Sequence, residues 1–131
     1  MTNWSTARVE PDYDLLAPDG SQIRLLLAVG GGSMVHCSLP PGQVSRAVQH
    51  RTVEEVWFCV SGAGQLWRKS GPQEEEVNLE PGIALSIPLG TAFQFRATGE
   101  RALEVVIVTI PPWPGQDEAL PARGAWPPTA P

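Results

Sequence analysis

Turn signals recur along this chain about every eight to twelve residues, and that spacing limits what it can fold into. Asp19-Gly20, Gly30-Gly31-Gly32, Pro40-Pro41-Gly42, Gly62-Ala63-Gly64, Ser70-Gly71-Pro72, Pro81-Gly82, Pro88-Leu89-Gly90 and Thr98-Gly99-Glu100 punctuate it in turn. Between them lie short runs rich in β-branched, aromatic and aliphatic residues: Ile23 to Val29, Met34 to Leu39, Val53 to Val60, Gln65 to Lys69, Glu75 to Leu79, Ile83 to Ile87, Phe93 to Ala97 and Leu103 to Ile110. Leu15-Leu16 lies before Asp19-Gly20, so that dipeptide reads as a hairpin turn. No stretch carries the 3.6-residue apolar repeat of an amphipathic helix. The 13 glycines and 14 prolines are what many short strands joined by tight turns require, so the fold class is all-β, a sandwich or barrel.

The 131 residues make one domain. Residues 1–12 form a polar N-terminal arm with Trp4 as its anchor, 13–110 the barrel, and 111–131 a Pro-rich tail. Seven of the 14 prolines fall in that tail, so no regular structure is expected there and its last residues are expected to be loose. Trp113 and Trp126 interrupt it and give it something to lay along the barrel or a partner subunit. A net charge of −5 with no basic run argues against nucleic acid. The longest apolar runs, Leu25 to Val29 and Val105 to Val108, are too short to span a bilayer. With no charged leader and apolar stretch at the N-terminus, the expected location is cytoplasmic. Cys37 and Cys59 have no CxxC spacing and read as buried free thiols. Glu74-Glu75-Glu76 reads as a solvated edge that discourages strand pairing.

Two spaced motifs then stand out. Gly42 is followed by five residues, Val48, Gln49, His50, four residues, Glu55, six residues and Gly62. Gly82 is followed by five residues, Pro88, Leu89, Gly90, two residues, Phe93, three residues and Ala97. In spacing these resemble the two cupin motifs, G(X)5HXH(X)3-4E(X)6G and G(X)5PXG(X)2H(X)3N. The resemblance covers Gly42 to Ala97 and implies a cupin-type double-stranded β-helix, or jelly-roll barrel. It also implies a site of three histidines and one carboxylate around a metal ion, and here the sequence departs from it. Val48, Phe93 and Ala97 stand at two of the histidine positions and at the asparagine, leaving His50 and Glu55. The whole chain has two histidines, too few for the usual site, so no metal and no cofactor is expected. A poorer site from His50, Glu55 and one of His36, Cys37 or Cys59 is the alternative on paper.

If Glu55 points into the barrel, as its motif position implies, strand alternation puts Trp57 and Cys59 on the same face. Val48 and His50 share a face, as do Phe93 and Phe95, with Gln94 and Arg96 opposite. The expected site is therefore His50 and Glu55 as an acid/base pair, with Val48, Trp57, Cys59, Phe93 and Phe95 as the substrate-binding wall. The aromatics alone would equally serve to plug a small barrel. His36 reads as a strand histidine, Cys59 as an inert thiol rather than a nucleophile, and Arg68 and Arg96 as rim salt-bridge partners.

These residues fit a cofactor-independent enzyme of isomerase, lyase or cyclase type acting on an apolar organic molecule. An atypical metal-dependent cupin such as a dioxygenase, and a non-catalytic binding or sensing module, are the alternatives. The expected partner is a small organic ligand, with neither nucleic acid nor membrane. The resemblance further implies a homodimer, with the arm and tail as elements that two chains could exchange.

Overall fold

A computed structural model describes residues 3–131, so the first two residues of the expected arm lie outside it. Eleven strands and one short 3-10 turn, Gln116–Glu118, make up its regular structure. One sheet holds six strands in the order β1 (Leu15–Leu16), β2 (Gln22–Val29), β3 (Gly32–Leu39), β10 (Leu103–Ile110), β5 (Glu54–Ser61) and β8 (Ala84–Ile87). The other holds five, in the order β11 (Ala119–Pro121), β4 (Val48–His50), β9 (Ala92–Ala97), β6 (Gly64–Ser70) and β7 (Gln73–Leu79). All the pairings are antiparallel, and strands distant in sequence sit side by side, as in a jelly-roll barrel.

Alternation along each strand decides what the barrel contains. In β5 the residues Glu55, Trp57 and Cys59 are buried while Glu54, Val56 and Phe58 are exposed. In β10 the buried set is Leu103, Val105, Ile107 and Thr109. These inward residues meet Leu66, Phe93, Phe95 and Ala97 from the second sheet and form one apolar core. Trp57 is held edge-on by Phe93 and Phe95, with ring centroids 5.7 and 5.1 Å away. At the end of β5, Gly62 has φ +82, and a side chain there would run into the Ala102 carbonyl.

The tail departs from its expectation in two ways. Ala119–Pro121 pairs with β4, and Pro121 is accommodated because it closes a strand at the sheet edge. The last residues are not loose either. The amides of Thr129 and Ala130 both donate to the Val44 carbonyl at 2.9 Å, and the Ala130 methyl is buried in the core. Gln94, on the face opposite Phe93, is buried under this tail. Its side-chain amide donates to the carbonyls of Ser45 and Trp126 at 2.8 Å and accepts from the amides of Ala125 and Trp126. Arg96 stacks its guanidinium 4.1 Å from the Trp126 ring centroid. The tail thus lies against its own barrel.

Glu74 to Glu76 fall on β7, an edge strand, where Glu75 pairs with Arg68 and Glu74 with Lys69. Cys37 and Cys59 are both free and buried. Among the described residues no helix is long and apolar enough to cross a membrane.

Candidate functional site

One end of the barrel contains a cavity of about 80 Å³ lined mainly by apolar side chains. Val48, His50, Glu55, Trp57 and Phe93 all line it, so the two motif strands bring most of the expected residues together. Cys59 and Phe95 share the inward face but do not line the cavity. Phe95 packs behind Trp57, and the Cys59 thiol sits 3.8 Å from the Ser61 carbonyl, one strand step deeper. Burial pushes the thiols of Cys59 and Cys37 up, so neither is poised as a nucleophile.

Glu55 is set by its neighbours on the sheet. Thr109 lies directly across from it on β10, and its hydroxyl donates to Glu55 Oε2 at 3.2 Å. Trp57, two residues along β5, donates its indole N–H to Glu55 Oε1 at 3.0 Å. The carboxyl is 6% exposed. Burial raises it to about 7, against the two hydrogen bonds that lower it, and the charge of Asp19 adds to the rise. Near neutral pH it holds and releases a proton with comparable ease.

His50 faces Glu55 from β4 in the opposite sheet. Its Nδ1 lies 3.9 Å from Glu55 Oε2, beyond hydrogen-bond reach, and this buried nitrogen has no partner among the described residues. Phe93 and Trp113 meet the imidazole edge-on, each with ring centroids at 5.3 Å. Burial lowers the His50 pKa, with the Glu118 carboxylate opposing. Glu118 is itself fixed by the Thr52 amide at 2.7 Å and by the Thr52 hydroxyl.

Several further residues of the cavity escaped the sequence reading, Asp19, Trp113 and Gln116 among them. Asp19, read as half of a hairpin turn, lines it with a buried carboxyl. Trp113 and Gln116 come from the tail and form the wall beside His50. The Trp113 amide donates to Ser33 Oγ at 3.0 Å, and Gln116 Nε2 to the Leu16 carbonyl at 3.3 Å, which ties the tail across β3 and β1. Asp-Gly carried the right local signal, a turn, but nothing in it tells that the turn folds over the barrel mouth. His36 is on the other face of β3 from the cavity-lining Val35, paired with Glu104 at 3.0 Å. Arg68 and Arg96 also face away, toward Glu75 and Gln65.

The cupin motifs carry a metal site in their usual form, and the residues here do not fit one. Val48 and Phe93 put hydrocarbon where two imidazoles would have to reach, leaving His50 and Glu55 as the two motif donors. Among the described residues no group of three or more His, Cys, Asp or Glu side chains is arranged to hold an ion.

Comparison with known proteins places the fold. No curated protein matches the chain. Among solved structures, Streptomyces Pac13, in a variant solved with uridine, superposes with a TM-score of 0.71 at 18% identity, over 94% of this chain and 93% of that one. Another structure of Pac13 describes it as a unique nucleoside dehydratase. KdgF from Halomonas sp. superposes at 0.62 with 22% identity, over 82% of this chain and 88% of its own. A Thermotoga maritima protein described as a predicted oxalate decarboxylase superposes at 0.60 with 20% identity, over 69% and 79%. At these identities the likeness concerns the fold alone. A profile of the family described as "Cupin domain" matches residues 35–109, more than half of the chain and both motif strands of the cavity. The chain belongs to the cupin domain family.

Proposed function

We propose that this protein binds a small organic molecule in the barrel cavity and moves a proton on it without a metal, in an isomerisation, elimination or cyclisation. The observation that carries the reading is the pairing of Glu55, held near 7, with the unpartnered Nδ1 of His50 at 3.9 Å in an apolar chamber. Efficient general acids and bases have pKa values close to the working pH, and burial is the usual means of bringing a carboxyl there. A hydroxyl or acidic C–H set beside the gap would touch both groups, one giving and one taking the proton. The fold likeness to Pac13 supports the class, because a dehydration also consists of removing one proton and protonating a leaving hydroxyl.

The test is deuterium wash-in. Candidate ligands, beginning with uridine, are incubated with the protein in D2O and followed by NMR for exchange at carbon or for loss of water. The expected result is exchange that disappears in both Glu55→Gln and His50→Gln. Ligand binding without exchange identifies a binding module instead, and exchange that survives both substitutions refutes the assignment of the pair.

We also propose a cytoplasmic homodimer. Val56, Phe58 and Val60 project from the outer face of β5, each more than two-fifths exposed, and an apolar stripe of this kind supports pairing with a second copy. Phe58→Lys should shift the mass measured by light scattering from two chains to one, and an unchanged mass would refute this surface.

A further inference from the structure

Among the described residues no arginine or lysine lines the cavity. Its polar lining consists of Asp19, Ser21, His50, Glu55, Thr109 and Gln116, and two of these six are carboxylic acids. Neither acid is paired with an arginine or lysine among the described residues. Phosphate and carboxylate ligands are normally held by guanidinium or ammonium groups or by a helix N-terminus, and this barrel end offers none of them.

Asp19 is built into this site. The turn Ala17 to Ser21 closes on itself through Gly20 N donating to Ala17 O at 2.9 Å and Ala17 N to Ser21 O at 2.8 Å. Ser21 then donates its amide at 2.9 Å and its hydroxyl at 2.6 Å to Asp19 Oδ1. Asp19 Oδ2 receives no hydrogen bond among the described residues. From behind, the Arg46 amide donates to the Asp19 carbonyl at 2.9 Å, and Gly20, at φ +92, packs directly on Ala130 and Pro131. Three polar groups of the chamber therefore have unused capacity: Asp19 Oδ2, the Glu55 carboxyl, and His50 Nδ1, which belongs to a side chain 7% exposed. Carboxylates accept hydrogen bonds, and the ligand must supply the donors.

We infer that the site takes a neutral or cationic molecule whose hydroxyl or amine groups donate to Asp19 and Glu55 from an apolar body, that Asp19 sets this preference, and that carboxylate and phosphate ligands are excluded. This specificity rests on the ligand-binding cavity proposed above. An anionic group brought beside these two carboxyls in a chamber walled by Ile23, Val48, Trp57 and Phe93 meets loss of hydration and like-charge repulsion from whichever of them is ionised. A hydroxyl or ammonium group replaces the water it leaves behind with carboxylate acceptors.

Four probes on one carbon frame test it: benzyl alcohol, benzylamine, benzoate and phenyl phosphate, titrated near pH 8 and followed by NMR shifts of residues lining the cavity. The alcohol and the amine should bind at least ~10-fold more tightly than the two anions. Asp19→Asn should reduce the preference for benzylamine over benzoate by about 10-fold while leaving benzyl alcohol little changed. The comparison in the unsubstituted protein needs no variant, so poor folding of Asp19→Asn would leave it standing. Binding of the anions as tight as that of the amine overturns the specificity but keeps the cavity. A preference unaltered in Asp19→Asn overturns the role of Asp19. Failure of all four probes to perturb the lining overturns the cavity reading as well.

Discussion

Replacing Glu55 by glutamine should make the protein's stability less sensitive to pH, and by a predictable amount. The carboxyl rises from an ordinary 4.5 to about 7 on folding, because burial disfavours its charged form. A group held above its unfolded value favours the folded state while both forms are protonated, and that contribution is lost as pH climbs through the folded value. The window therefore runs from about 4.5 to about 7. At ~1.4 kcal/mol per pH unit, the loss between pH 5 and pH 8 amounts to about 2–3 kcal/mol. Glutamine keeps the shape and both hydrogen bonds, its oxygen accepting from Trp57 Nε1 and its amide donating to Thr109 Oγ1, while carrying no charge at any pH. Asp19, which burial also pushes up, titrates in both proteins, so its share largely cancels in the difference. Urea unfolding followed by tryptophan fluorescence at several pH values is the assay. The stability of Glu55→Gln relative to the parent should grow by about 2–3 kcal/mol from pH 5 to pH 8. A difference that stays flat, or shrinks toward alkaline pH, would refute the claim that this carboxyl is buried and elevated.

Trp113→Ala should let water reach His50 and raise its titration midpoint toward the ordinary 6.5, measured from the imidazole NMR signals; an unmoved midpoint would deny the tail its part in the site. Gln94→Ala removes four hydrogen bonds, three of them between barrel and tail, and should cost about 2–4 kcal/mol, with new protease cleavage beyond residue 111. Gly20→Ala, which drives a methyl against Ala130 and Pro131 at φ +92, should lower Tm more than Gly71→Ala, where φ is +58 and the space is open; equal losses would mean that the chain end does not press on this turn.

The barrel was legible because turn residues and alternation are local signals. The parity argument put Glu55, Trp57 and Cys59 on one face and Gln94 opposite Phe93, as the structure has them. Parity fixes a face but not a depth, which is why Cys59 and Phe95 were grouped with residues that reach the cavity. Sequence could not foretell the order of the tail, because what holds it lies far away along the chain. Gln94 grips residues about thirty positions later, and the Val44 amide donates to the Thr129 hydroxyl across 85. Proline content argues against helix and central strand, but it does not argue against an irregular chain pinned at intervals by partners elsewhere. Asp19 was missed for the same reason: its turn is local, and its placement is not.

The region that matches the family profile begins at residue 35 and ends at 109, and it contains neither Asp19 nor Trp113. The common framework thus supplies the floor of the chamber with His50 and Glu55, while two flanking pieces supply its second acid and part of its wall. Such a division lets guest preference drift by exchange of the flanks while the inherited scaffold stays as it is. For this kind of protein, neighbours with interchangeable barrels can be expected to accept unrelated molecules, and the chain outside the shared core is the place to look for the difference.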